Sequence, residues 1–183
     1  MKNISLFLFT LIIAAVIMVG CNTEESPDNP VSGQSNDIVK LNKPTSELQK
    51  ELALARSATA KYHRLEVAMD DGYDTPGPVV QNMGYHYINP DNIGDTFDPG
   101  KPAILVYSKN PVNGKMRLVA VEYAVPDNNP IPQGFTGDAD VWEDNTDVHL
   151  WLCHAWVWYN NPDGIFNETN PRVHVEESEV NYP

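Results

Sequence analysis

The stretch "AILVYSKNPVNGKMRLVAVEYAV", Ala103 to Val125, decides the fold. Its ends are β-branched and aromatic runs, and the Asn, Pro and Gly cluster between them interrupts any continuous strand or helix. Asn113-Gly114 is a strong hairpin signal, so the two runs are predicted to pair antiparallel. Similar runs stand on either side, "VVQNMGYHYIN" from Val79 to Asn89 and "VHLWLCHAWVWY" from Val148 to Tyr159. A long polar loop, Asp127 to Asp147, precedes the last of them. The C-terminal segment from Asn160 is punctuated by Pro162, Pro171 and Pro183. It is expected to wrap irregularly, with one short edge strand at Val173 to Val175.

Upstream the period changes. In "KPTSELQKELALARSATAKYHRLEVAMDDGY", Lys43 to Tyr73, the residues Leu48, Leu52, Ala55, Thr59, Tyr62, Leu65 and Met69 recur at steps of three and four. That spacing gives one long amphipathic helix whose stripe faces a partner layer. Ser46 and Gln49 are spaced as a capping box, and Gly72 ends the helix as a left-handed cap. The expected class is α+β: one N-terminal amphipathic helix packed on a mostly antiparallel β-sheet or open barrel.

Before the helix lie two segments of other character. Met1-Lys2-Asn3 followed by an uncharged run from Ile4 to Gly20 reads as a secretory signal, residues 1–20. Met18-Val19-Gly20-Cys21 is similar to a bacterial lipobox, which makes Cys21 the expected lipidation site and the membrane a partner through that anchor. Residues 21–43 are acidic and rich in Pro, Ser, Asn and Gly, a composition that cannot offset the entropy of ordering, and read as a tether. The folded domain is then 44–183. Glu24-Glu25 behind Cys21 resembles a surface-export signal, so the expected location is the bacterial cell envelope, at the outer membrane or cell surface.

The chain carries 12 Lys plus Arg against 25 Asp plus Glu, a net charge of -13. Such a surface repels a phosphate backbone, which argues against nucleic acid as a partner. It has two cysteines, and lipidation of Cys21 leaves Cys153 without an intramolecular disulfide partner.

Strand parity organises the candidate chemistry. In "LVAVEYAV", Leu118, Ala120, Glu122 and Ala124 share one face, and Val119, Val121, Tyr123 and Val125 the other. Glu122 thus interrupts a run that is apolar on both faces, and a buried carboxylate demands a partner, a hydrogen bond or a metal. His86 falls with Gly84 and Ile88, and His154 with Leu150, Leu152, Trp156 and Trp158. Two imidazoles and a carboxylate facing one interior suit a single divalent transition metal, Zn, Fe, Mn or Cu. Tyr85, Tyr87, Tyr123 and Trp156 are the candidate pocket residues around it, the tyrosines as hydroxyl donors. The alternatives are a hydrogen-bonded core role for each histidine, and an arginine partner or a solvent-facing edge for Glu122. Cys153 points away from His154 and reads as a small buried hydrophobe. The loop "DADVWEDNTD" lacks the glycine and closing glutamate of a calcium loop and reads as solvated.

The blocks "ATAKY" (Ala58 to Tyr62), "DGY" (Asp71 to Tyr73), "MGYHYIN" (Met83 to Asn89), "LVAVEY" (Leu118 to Tyr123), "HAWVWYNNPDGIF" (His154 to Phe166) and "NPRV" (Asn170 to Val173) together resemble a family of small secreted bacterial proteins with no established activity. The resemblance implies that His86, Glu122 and His154 are family positions, and it names no reaction. The first functional reading is an exported, membrane-anchored lipoprotein with a metal- or small-ligand-binding site in its β domain. A second is a non-catalytic surface lipoprotein that binds a protein or glycan through exposed aromatics such as Trp142, Trp151 and Trp158. A third makes the two histidines and Glu122 a buried hydrogen-bond network that only holds the sheet together.

Overall fold

A computed structural model describes residues 45–182. The expected signal peptide, the lipidation site Cys21 and the tether lie outside the described residues.

The apolar stripe of the first element, α1 (Ser46–Thr59), buries Leu48, Leu52, Ala55 and Thr59. Thr45, rather than the expected Ser46, caps it, its side chain accepting from the Leu48 amide at 3.3 Å. The helix is therefore the first described element and not the N-terminus of the chain. Nor does it run unbroken to Gly72. It tightens into a 3-10 turn at Ala60–His63, Arg64 turns extended, and a short α2 follows at Leu65–Asp70. The break has a physical cause in the next layer. The Tyr62 carbonyl accepts the buried Tyr107 hydroxyl at 2.7 Å, and the indole of Trp158 donates to Thr59 Oγ1 at 3.0 Å.

Six strands follow: β1 (Thr75–Val80), β2 (Gly84–Ile88), β3 (Ile104–Lys109), β4 (Met116–Pro126), β5 (Glu143–Asn145) and β6 (Leu150–Ala155). They form one antiparallel sheet in the order β1-β2-β3-β4-β6-β5, curled into half a barrel. The class is α+β, a helix on a sheet, as the periodicities predict. Among the described residues no helix is long and apolar enough to cross a membrane.

Several local expectations change. "VVQNMGYHYIN" is two strands, because Asn82 (φ 63°) and Gly84 (φ 121°) fold the chain back between them. The β3–β4 hairpin forms, but through a longer loop in which the Gly114 amide reaches the Asn110 carbonyl at 2.8 Å and Gly114, not Asn113, takes positive φ. No strand forms at Val173 to Val175. Val173 and Val175 are buried instead as part of the irregular wrap. A register shift between Val106 and Tyr107 leaves Val119 unpaired in the ladder. This bulge reverses parity at its start: Leu118 packs in the helix-side core, whereas Val119 and Ala120 pack in a second cluster with Val106, Trp156 and Val173.

The two faces of the sheet thus differ. One presents Leu105, Tyr107, Val121, Tyr123 and Ala155 to the helical layer. The other carries Ile104, Val106, Ala120 and Ala124 under the C-terminal wrap and an open cavity.

Candidate metal centre

On this second face the strand register brings the three candidates together. Glu122 and His154 are direct cross-strand partners on β4 and β6, and His86 lies on β2, two strands away from β4. Parity and the bulge together keep all three on one face, since Glu122 and Ala120 lie on the same side of the register shift. They are buried, at 4%, 2% and 5% exposure for His86, Glu122 and His154. Each offers one ligand atom, and those atoms lie within 4.8 Å of one another. Among the described residues this is the only grouping of His, Cys, Asp and Glu with such spacing, and it could hold a metal ion.

The His154–Glu122 separation fits a shared ion better than it fits a hydrogen bond. His154 Nδ1 stands 3.4 Å from Glu122 Oε1, and His86 Nε2 stands 3.9 Å from Glu122 Oε2. A good N–H···O bond is shorter, about 2.9 Å. Two ligands each about 2.0–2.1 Å from a tetrahedral ion sit about 3.3–3.4 Å apart. His154 Nε2 is buried without a hydrogen-bond partner, a state that costs on the order of 1–3 kcal/mol unless something else satisfies it.

His86 is oriented for ligation. Its Nδ1 lies 2.7 Å from the carbonyl of Pro78 on β1. A carbonyl only accepts, so Nδ1 carries the proton and Nε2 keeps a free lone pair aimed at the Glu122 side. Gly77 makes this approach possible, because a Cβ there would stand 2.9 Å from the His86 Cβ. The ring of Trp156 stacks beside His154, centroids 6.2 Å apart and 18° from parallel, and its indole donates to the Asn167 carbonyl at 2.6 Å.

Burial sets the charge state without an ion. It raises the Glu122 carboxyl to about 8 and lowers the His86 and His154 imidazoles to about 4 and about 3, with the neighbouring His86 lowering His154 further. At neutral pH all three are therefore uncharged. A divalent cation bound there would supply the charge that stabilises the Glu122 carboxylate.

Above the trio opens a cavity of about 560 Å³. Met83, Ile88, Ile104, Leu152 and Phe166 form apolar walls, and Glu143 and Glu168 add carboxyl groups. Burial, together with the neighbouring Glu168 carboxyl, raises Glu143 above the ordinary carboxylate value. Sequence reasoning missed both. β5 is a short, wholly polar strand with no alternation, and Glu168 sits in an irregular segment.

The tyrosines proposed for this pocket lie elsewhere. Tyr85, Tyr87 and Tyr123 pack with the helix-side core, and none of them lines the cavity. The Tyr123 hydroxyl donates to the Pro99 carbonyl at 2.9 Å, Tyr87 packs edge-on against Tyr107, and Tyr85 bonds Glu179. Alternation explains the correction, since residues flanking His86 and Glu122 in a strand must point the other way. Trp156 supports the His154 ring without lining the cavity. Cys153 is fully buried on the opposite face from His154, and burial pushes its thiol well up, so it is a packing residue. Asp140 is engaged locally, accepting from the Phe135 amide at 3.1 Å and the Trp142 indole at 3.0 Å.

The four tryptophans do not form an exposed patch. Trp156 is buried, Trp142, Trp151 and Trp158 are half-buried, and every indole N–H has a partner within the protein. Comparison of the chain with family models, with curated proteins and with solved structures gave no match, so the chemistry of the site rests on its own geometry.

Proposed function

We propose that the protein is an exported lipoprotein, anchored through Cys21, whose β-sheet holds one divalent transition metal between His86, Glu122 and His154. The buried convergence of His86, Glu122 and His154, one ligand atom from each within 4.8 Å of the others, is the observation that carries this reading. Two imidazoles and one carboxylate favour Zn, Fe, Mn or Cu over the hard cations, which take oxygen ligands. Three protein ligands leave a coordination position open, as in catalytic rather than structural zinc sites. The cavity beside the trio gives a small molecule access to that position.

A metal held there supplies Lewis-acid activation of a substrate or of water. The protein's own groups do the rest. His86 is fixed in one tautomer by Pro78, and Trp156 steadies the His154 ring. Met83, Ile88, Ile104, Leu152 and Phe166 give one side of the cavity an apolar wall against which a ligand can pack. Glu143 and Glu168 line the same cavity as neighbouring carboxyls, a pair equipped to accept or return a proton. The membrane anchor and envelope location rest on the Met18 to Cys21 motif and the acidic tether behind it.

Trp156 provides a test. Titrating chelator-treated protein with Zn²⁺, Mn²⁺, Fe²⁺ and Cu²⁺ should change its fluorescence until one equivalent is bound, and Glu122→Gln should abolish that saturation. No uptake of any of the four ions would overturn the reading.

A further inference from the structure

A second cavity, of about 630 Å³, lies away from the metal trio, between the β3–β4 hairpin and the C-terminal wrap. Lys109, Lys115 and Arg117 reach it from the hairpin, and Arg172 reaches it from the wrap. One carboxylate, Glu176, lines it as well. Such a concentration is unexpected in a chain with 12 cationic side chains against 25 acidic ones. Outside the cleft, Lys50 and Lys61 each have a carboxylate within 3.5 Å, and within it Lys109 has one in Glu179.

The other three cations of the cleft are different. Among the described residues, the side chains of Lys115 and Arg172 make no hydrogen bond or ion pair. The Arg117 guanidinium lies over the Tyr159 ring, 4.6 Å from its centroid, with no carboxylate paired to it. Like charges gathered around a concavity repel one another and raise the local potential, and a bound anion relieves both effects. Arginine and lysine around a cleft also match the oxygens of a tetrahedral anion in geometry as well as charge. Tyr159 leaves an aromatic wall beside them.

We propose that this cleft is a binding site for a phosphate- or sulfate-type oxyanion, carried by a small molecule or a lipid headgroup and held by Lys115, Arg117 and Arg172. It is independent of the metal centre, shares no lining residue with the first cavity, and stands or falls separately.

Isothermal titration of the full chain with inorganic phosphate and with sulfate tests it. Binding should be saturable and should weaken as salt is raised, because exposed charges are screened. The double variant Arg117→Gln, Arg172→Gln should lose roughly tenfold or more in affinity for each charge-assisted hydrogen bond removed. Both side chains are exposed, and an unchanged melting midpoint checks that the fold survives. A second arm uses a Cys21→Ser chain, free of the lipid anchor, with vesicles of phosphatidylcholine alone or mixed with phosphatidylglycerol. Capture by the anionic vesicles that phosphate displaces assigns the oxyanion to a headgroup, and phosphate binding without capture assigns it to a soluble ligand. Absence of saturable binding to phosphate, sulfate and anionic vesicles, or full-strength binding by the double variant, would overturn the proposal.

Discussion

Glu122 and His154 face each other as register partners on adjacent antiparallel strands, with 3.4 Å between a carboxyl oxygen and an imidazole nitrogen, both side chains almost wholly removed from water. The position of β5 makes this pairing consequential. The chain makes β5 before β6, yet β6 inserts next to β4 and pushes β5 to the edge. The strand carrying His154 is thereby brought against the strand carrying Glu122, and the β5 carboxylate Glu143 is left at the rim of the same cavity.

Bound metal should stabilise the fold, because the ligand arrangement exists only in the native state. At a free metal concentration a hundred times Kd the gain is about 2.7 kcal/mol. For a chain of this size that corresponds to a melting shift on the order of 5–10 °C. Calorimetry with added metal and with chelator should show this difference in the natural chain and none in Glu122→Gln. Coincident melts in the natural chain would count against the site.

The metal-free protein should show a characteristic pH dependence of stability. Glu122 has its folded value raised from 4.5 to about 8, so its contribution is full below pH 4.5 and is lost as pH rises to about 8. His86 and His154 have theirs depressed from 6.5 to about 4 and about 3, so their contributions are full above pH 6.5 and are lost as pH falls. Between pH 6.5 and 8 the Glu122 effect stands alone among the three. Urea unfolding of metal-free protein should therefore show stability falling across that window, and Glu122→Gln should flatten the fall. Metal uptake across the same window should release a proton and tighten with pH.

Gly77 and Gly84 should separate site effects from fold effects. A Cβ on Gly77 would press on the His86 Cβ at 2.9 Å. Gly77→Ala should accordingly weaken metal binding by roughly 10–100-fold, the range for disturbed outer-shell partners, with a smaller loss of stability. A Cβ on Gly84 would stand 2.2 Å from the Tyr107 carbonyl oxygen, at a φ of 121°. Gly84→Ala should destabilise the whole protein, by about 3 kcal/mol or more. Melting midpoints and metal titrations of both variants would check the contrast, and equal effects in the two assays would contradict it.

Much of this was legible in the residues. The helical stripe from Leu48 to Thr59 and the apolar setting of His86, Glu122 and His154 follow from periodicity, and the β3–β4 hairpin from the turn residues between its strands. Strand order was not legible, because nothing in Leu150 to Ala155 says that its partner is β4 rather than the strand before it. The division of Val79 to Asn89 turns on Asn82 accepting positive φ inside an apolar run. The bulge at Val119 shifts parity without any glycine to announce it. The tyrosines were misplaced because sequence adjacency to a site residue means, in a strand, the opposite face.

The central claim is that His86, Glu122 and His154 hold a metal, and metal analysis of protein purified without an affinity tag tests it most directly. The account predicts one transition-metal ion per chain in the natural protein and almost none in the His86→Ala, His154→Ala double variant. Equal, near-zero metal in both, including after incubation with the four candidate ions, would contradict it.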